Sequence, residues 1–219
     1  MKALGSGGKL LIGLGDSFTS GGGSQSYPHV AAGLLNWQVR NYAVGGSTTN
    51  NILTQLIYAA HTAILPATTH VVITIGGNDL HGLSSLVNIA KLNITLFEQQ
   101  AASFKPTLVS TYQRIKGAVR PETKIYALPY VDFVSVGNKI PYEAESHRVL
   151  KALNNCVRNA AADANIGYID SVISSFLGHE MYSVDPYIDN FNHPTNALHP
   201  NLKGYAKIGE VVAAYLQAN

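Results

Sequence analysis

Cysteine and charge are both scarce in this chain of 219 residues. Cys156 is the single cysteine, so no intrachain disulfide can form. Charged residues make up 13% of the sequence and the net charge is +2, without a cluster of lysine and arginine, so nucleic acid is not an expected partner. No apolar run approaches the roughly 18 residues that a bilayer-spanning helix needs. Hydrophobic residues, in contrast, make up 46%, which is typical of a globular protein.

Short apolar runs alternate with longer helical patterns, and this alternation predicts the fold. The runs indicate strands at residues 9–14, 39–44, 70–75, 124–128 and 166–169. Helices are predicted at residues 27–35, 49–60, 98–119, 142–164 and 202–216, with Pro106 expected to kink or divide the third. Strands that alternate with helices favour an α/β fold, in which a mainly parallel sheet of five strands is covered by helices on both faces as a three-layer α/β/α sandwich.

The domain organisation follows from the same pattern, since no internal repeat or linker interrupts it. We expect a single domain at residues 9–219 and an N-terminal tail, natural or left by cloning, at residues 1–8. The tail lacks the apolar stretch of a signal peptide, but a signal peptide that had been removed would leave no trace. We expect secretion after such removal, with a cytoplasmic location as the alternative. The oligomeric state is left open.

The loops after the first three predicted strands carry Ser17, Gly46 and Asn78. In a parallel sheet the ligand site lies at the carboxyl ends of the strands, so we expect these three residues at one edge. Each motif also has a purely structural interpretation. Asp16-Ser17 can cap a helix, two glycines before Ser47 can form a tight turn, and a proline after His199 can open a helix. The individual motifs therefore decide little.

In this order, the motifs resemble those of the SGNH hydrolases, also called GDSL esterases or lipases. The four similar blocks are Gly15-Asp16-Ser17, Asn41 to Gly46 with Thr48, Gly76-Gly77-Asn78-Asp79, and Leu198-His199-Pro200-Asn201 with Gly204. The resemblance spans nearly the whole chain. It implies a flavodoxin-like SGNH hydrolase fold and a serine esterase that hydrolyses carboxylic esters, with short or medium acyl esters, lipids and acetylated carbohydrates as the possible substrates. A non-catalytic or weakly active binding module that keeps the fold is the alternative function.

The resemblance also implies a role for each site residue. Ser17 would attack the ester carbonyl, and His199 would take its proton and pass it to the leaving alcohol. The backbone N–H groups of Ser17 and Gly46 would form the oxyanion hole with the side-chain amide of Asn78. Glycine suits position 46 because the backbone must approach the substrate without a Cβ, and asparagine donates without adding charge. His193, which also precedes a proline, is the alternative base.

No cofactor or metal is expected, because the histidines show no compact ligand spacing and no HExxH or Cys-His motif is present. The expected partner is a small-molecule ester. Asp16 is interpreted as a structural acceptor that holds the nucleophile loop and not as a second acid.

Asn196 occupies the position at which the family usually has an acid, three residues before the histidine. Three interpretations stay open. The side-chain oxygen or the main-chain carbonyl of Asn196 accepts from Nδ1 of His199, or a carboxylate from Asp185 or Asp189 takes that place, or the substitution leaves the protein weakly active. On the first, Asn196→Asp is expected to keep or raise esterase activity.

Overall fold

The computed structural model describes residues 8–81 and 86–219, and the predicted N-terminal tail lies outside them except for Gly8. The described strands form one parallel sheet in the order β2-β1-β3-β4-β5. The strands are β1 (Leu10–Gly15), β2 (Gln38–Asn41), β3 (His70–Thr74), β4 (Lys124–Ala127) and β5 (Gly167–Tyr168). This confirms the α/β fold with a parallel five-stranded sheet. It also places the carboxyl ends of the neighbouring strands β1, β3 and β4 at one edge.

The central strands have the burial that their composition predicts. Every residue of β1 and β3 is buried, as continuous apolar runs require in a sheet with two covered faces. The edge strand β2 is half exposed and ends at Asn41, three residues before its predicted end. There the side chain of Asn41 accepts a hydrogen bond from the backbone N–H of Ala43 at 3.2 Å, so the chain leaves the regular strand.

Helices cover both faces of the sheet. Within the described ranges they are α1 (Ser17–Ser20), α2 (Tyr27–Leu34), α3 (Ile52–His61), α4 (Leu86–Leu92), α5 (Ile94–Ala118), α6 (Glu143–Asp163), α7 (Ser171–Ser174) and α8 (Leu202–Ala218). Helix α2 packs against α8, and α5 packs against α6. None of the helices in this part of the chain combines the length and the apolarity that a membrane span requires.

Helix α5 differs most from the prediction. It begins at Ile94, four residues early, because the side chain of Asn93 accepts the backbone N–H of Leu96 at 3.0 Å and caps the first turn. Pro106 neither ends nor divides the helix. It lies on the exposed face, as does Ala102, whose carbonyl loses its partner at the proline, so water can satisfy that carbonyl. Helix α4 was not predicted.

Candidate active site

Ser17 is the first residue of α1, directly after β1. Asp16 caps this short helix, since its Oδ1 accepts the backbone N–H of Phe18 at 2.9 Å. Gly15 has a φ of +121°, and a Cβ there would lie 2.1 Å from the carbonyl oxygen of Thr74 in β3. Only glycine allows this approach between the ends of β1 and β3. The local sequence Gly-Asp-Ser thus turns the chain sharply and presents Ser17 at the edge of the sheet.

His199 brings its imidazole to Ser17 across 182 residues of sequence. Ser17 Oγ lies 2.7 Å from His199 Nε2, and both side chains are partly buried. The ring of Phe18 lies beside the imidazole, with 5.3 Å between the ring centroids. Helix α8 begins three residues later at Leu202, and its cap Asn201 accepts the backbone N–H of Gly204 at 3.1 Å. The structure therefore brings the two predicted reactive side chains together within hydrogen-bond distance.

The second ring nitrogen of His199 contacts a main-chain carbonyl. Nδ1 lies 2.9 Å from the carbonyl oxygen of Ala197. Because a carbonyl oxygen only accepts, this contact requires the proton on Nδ1 and leaves Nε2 as the acceptor for the Ser17 hydroxyl. Leu198 has a φ of +68°, and this tight reversal lets the imidazole fold back over the carbonyl two residues earlier.

Contrary to the expectation from the sequence, Asn196 does not contact the imidazole among the described residues. The side-chain amide of Asn196 donates instead to Asp189 Oδ2 at 2.8 Å and to the carbonyl of Pro200 at 3.2 Å. Its main-chain carbonyl accepts from the backbone N–H of His199 and not from the ring. The reason lies in the turn itself, which points the carbonyl of residue 197 at the ring and the side chain of residue 196 away from it.

Neither of the two candidate carboxylates contacts His199 in the part of the chain that the structure describes. Asp185 forms an exposed ion pair with Lys203 at 2.6 Å. Asp189 binds Asn196 through its side chain and pairs with Leu198 and His199 through its backbone. Asp189 therefore stabilises the histidine loop through its backbone hydrogen bonds and through its side-chain contact with Asn196.

The predicted oxyanion donors follow β1, β2 and β3, as expected. Asn78 donates one amide N–H to the carbonyl of Ser47 at 2.9 Å, which leaves its second N–H for another acceptor. The backbone N–H groups of Ser17 and Gly46 donate to no acceptor among the described residues. Gly46 has a φ of +77°, and a Cβ there would meet nothing within 4 Å, so the space beside this amide is open.

Gln55 is a buried residue of the site that the sequence interpretation missed. Its side chain accepts the backbone N–H of Gly15 at 2.8 Å, donates to the carbonyl of Gly15 at 2.8 Å, and donates to Ser47 Oγ at 3.1 Å. It thereby ties the end of β1 to the loop that carries Gly46. The sequence did contain an indication of this role, because Gln55 is a polar residue on the buried face of α3, between Ile52 and Leu56.

Asp16 and Asp79 also hold this part of the site. Burial raises the pKa of Asp16 to about 7, while hydrogen bonds from Tyr130 and Phe18 oppose that rise. Partial burial likewise raises the pKa of Asp79, whose carboxylate accepts the backbone N–H and the hydroxyl of Thr49. Within the described ranges Asp16 forms no ion pair, and its side chain accepts hydrogen bonds from Phe18 and Tyr130.

His193, the alternative base, lies exposed in the loop before His199 and donates its backbone N–H to the carbonyl of Asn190.

Over residues 8–81 and 86–219, no group of three histidine, cysteine or acidic side chains is arranged to hold a metal ion. A cleft of about 600 Å³ lies between α5 and α6, and neither Ser17 nor His199 lines it.

Comparison with known proteins gives one family and a consistent fold. Residues 14–207 match the model of the GDSL-like lipase/acylhydrolase family. A lipase from Streptomyces rimosus is 25% identical in an alignment that is 227 residues long and covers 90% of this chain and 82% of the relative. The crystal structure of the extracellular lipase from that organism has a TM-score of 0.79 at 24% identity, covering 94% of this chain and 99% of that one. A phospholipase A1 structure from Streptomyces albidoflavus has a TM-score of 0.74 at 23% identity, with the same coverage.

Proposed function

Because the chain belongs to the GDSL-like lipase/acylhydrolase family and is a carboxylic ester hydrolase, we propose that it works through an acyl-enzyme on Ser17 with His199 as the base. The observation that carries this proposal is the 2.7 Å contact between Ser17 Oγ and His199 Nε2. A nucleophile within hydrogen-bond reach of a base, which is itself oriented by a third group, is the arrangement that acyl transfer needs.

The reaction proceeds in two proton-balanced halves. Ser17 Oγ attacks the ester carbonyl while its proton passes to Nε2 of His199, and the tetrahedral intermediate then expels the alcohol, which takes that proton. Water next attacks the acyl-enzyme, gives a proton to Nε2, and the carboxylic acid leaves as Ser17 recovers its hydrogen. The net change is ester plus water to acid plus alcohol, and His199 ends each turnover neutral.

The carbonyl of Ala197 takes the place of the usual acid in this proposal. It fixes the imidazole tautomer through Nδ1–H, at 2.9 Å, without carrying a charge. A neutral acceptor stabilises the imidazolium that forms in each half-reaction less than a carboxylate would. The site is therefore a serine–histidine dyad oriented by the main chain, and Asn196 acts on the loop and not on the ring.

The negative charge of the tetrahedral intermediate is assigned to the N–H groups of Ser17 and Gly46 and to the second amide N–H of Asn78. These groups follow the carboxyl ends of β1, β2 and β3 at one edge of the sheet and have no competing protein acceptor in the described ranges. Removing one such donor costs on the order of 10²–10³ in turnover in other acyl-transfer enzymes.

For substrates we propose esters of short or medium acyl groups. The two glycines at positions 45 and 46 are exposed beside the nucleophile, and a Cβ at Gly45 would only touch Ser17 Cβ, at 3.8 Å. An open, small-residue entrance of this kind admits a compact acyl group without a deep chain-length pocket. The names of two similar structures, a lipase and a phospholipase A1, support lipid esters as the source of such groups.

The experiment compares hydrolysis of p-nitrophenyl acetate, butyrate and octanoate by wild type, Ser17→Ala and Ser20→Ala. Ser20 is the matched control because it lies on the same short helix. We expect Ser17→Ala to lower kcat for every ester by at least about 10³-fold and Ser20→Ala to change it less than about twofold. A burst of p-nitrophenol equal to the enzyme concentration would support the acyl-enzyme, whereas equal rates for wild type and Ser17→Ala would refute the proposal.

A further inference from the structure

Tyr130 follows β4 and is completely buried beneath the candidate active site. Its ring packs edge-on against Phe18, the residue after the nucleophile, with 4.9 Å between centroids and 77° between planes. None of the sequence motifs includes Tyr130. A tyrosine in such a place normally needs a partner for its hydroxyl, since an unpaired buried hydroxyl is costly.

The hydroxyl of Tyr130 has two partners, and each belongs to a different catalytic loop. It donates to Asp16 Oδ2 at 2.5 Å and accepts the backbone N–H of Gly77 at 2.8 Å. Asp16 directly precedes the proposed nucleophile Ser17, and Gly77 directly precedes the proposed oxyanion donor Asn78. One oxygen atom thus joins the two loops through buried hydrogen bonds.

The main chain of Tyr130 is held as firmly as its hydroxyl. Asn154 of α6 accepts the N–H of Tyr130 at 2.9 Å and donates to its carbonyl at 2.8 Å. This side chain is itself buried, with 7% of its surface exposed. The position of the Tyr130 hydroxyl is therefore determined by β4 and α6, which lie outside both loops that it joins.

On the proposed function, we infer that Tyr130 is a positioning residue that sets the distance between the amide of Asn78 and Ser17 Oγ. Oxyanion donors act only when they lie close to the place where the charge develops, and a displacement of about 1 Å can cost a hundredfold in rate. Tyr130 touches no reacting atom. It acts through Asp16 on one side and through Gly77 and Asn78 on the other.

The test is a double-mutant cycle of Tyr130→Phe and Asn78→Ala on p-nitrophenyl butyrate. Phenylalanine keeps the ring and removes only the hydroxyl. In the wild-type background we expect kcat to fall about tenfold to a hundredfold, with KM changed less than about threefold, because a transition-state interaction is lost. In the Asn78→Ala background the same substitution should lower kcat less than about threefold, because the group that Tyr130 positions is already absent.

Tyr112→Phe is the matched control for the loss of a buried hydroxyl. Tyr112 is also completely buried, and its hydroxyl has no hydrogen-bond partner in the described structure. We expect this variant to keep wild-type kcat in both backgrounds. If Tyr130→Phe lowers kcat equally with and without Asn78, or if Tyr112→Phe matches it, Tyr130 has only a general structural role and the inference is overturned.

A second variant covers the case in which Tyr130→Phe does not fold. Asp16→Asn keeps the shape of the side chain and alters the acceptor of the hydrogen bond from Tyr130. In a double-mutant cycle of Asp16→Asn and Asn78→Ala, the losses of kcat should therefore again be non-additive. Additive losses in that cycle would refute the link. Failure of the proposed function would look different, because Ser17→Ala would then retain the full rate regardless of what Tyr130→Phe does.

Discussion

The two halves of the candidate active site are built in different ways. The half around Ser17 is supported by side chains that the sheet buries, among them Asp16 and Gln55, with 0% and 2% of their surface exposed. The half around His199 lies in a loop whose residues 191–195 are exposed. That loop is held chiefly by backbone hydrogen bonds, including the pair between Asp189 and residues 198 and 199.

This difference in burial predicts that substitutions in the two halves affect stability and catalysis differently. Buried polar groups are costly when a partner is removed, so changes near Ser17 should lower the free energy of unfolding as well as activity. The histidine loop buries little, and changes there should affect the rate while the fold remains. Sequence motifs mark both halves equally and do not reveal this contrast.

The largest expected effect comes from the exposed half. His199→Ala should lower kcat by at least about 10³-fold, because Ser17 loses its base. The melting temperature should change by less than about 2 °C, since the side chain is only partly buried. His193→Ala is the control, in the same loop and before the same type of residue, and should keep nearly full activity. A comparable loss in both variants would show that the base is misassigned.

The next effect concerns pH and the buried half. Burial raises the pKa of Asp16 to about 7, while in the unfolded chain it ionises near 3.8. Between these values the unfolded state has released a proton that the native state keeps, so this group makes stability fall as pH rises from about 4 to 7. Asp16→Asn should remove this pH dependence, which amounts to about a few kcal/mol in the free energy of unfolding between pH 4 and 7.

Urea unfolding of wild type and variant at pH 4.5, 5.5 and 7 measures the slope. Asp170→Asn is the control, because Asp170 is exposed and makes no side-chain hydrogen bond at its helix cap. The two variants should differ in their pH dependence. An Asp16→Asn curve parallel to wild type would mean that Asp16 is ionised throughout.

Gln55→Leu should destabilise the protein by about 1–3 kcal/mol, because the buried N–H of Gly15 loses its acceptor. The carbonyl of Gly15 loses one donor and keeps the backbone N–H of Val44. Gln99→Leu is the same replacement at an exposed position of α5 and should stay within about 0.5 kcal/mol. Chemical denaturation of the two variants decides the point. Equal stability would indicate that water replaces the Gln55 amide.

The smallest effect sharpens the role of Asn196. Asn196→Asp places a second carboxylate where the amide now lies 2.8 Å from Asp189 Oδ2, so repulsion should disturb the loop and lower kcat by about tenfold. This is the opposite of the outcome expected from the sequence. The exchange Asn196→Asp with Asp189→Asn restores one carboxylate and one amide and should recover most of the activity. If Asn196→Asp alone raises kcat, the residue does act on the imidazole.

The fold was predictable where burial is uniform. The apolar runs that became β1 and β3 are buried along their whole length, so composition alone identified them within a residue. Predictions failed where a single side chain decides an end, as Asn41 does for β2 and Asn93 does for α5. Such caps depend on local hydrogen bonds that a hydrophobic pattern does not record.

The sequence by itself determined the five strands and the five longest helices along the chain, because these follow from burial, and it showed the family resemblance and the candidate nucleophile and base through short motifs. Only the tertiary structure decided what surrounds them. Asp16 and Tyr130 are 114 residues apart and meet because parallel strands bring their carboxyl ends to one edge. The partner of His199 is likewise a carbonyl, which every residue possesses, so its choice depends on the turn at Leu198 and not on any side chain.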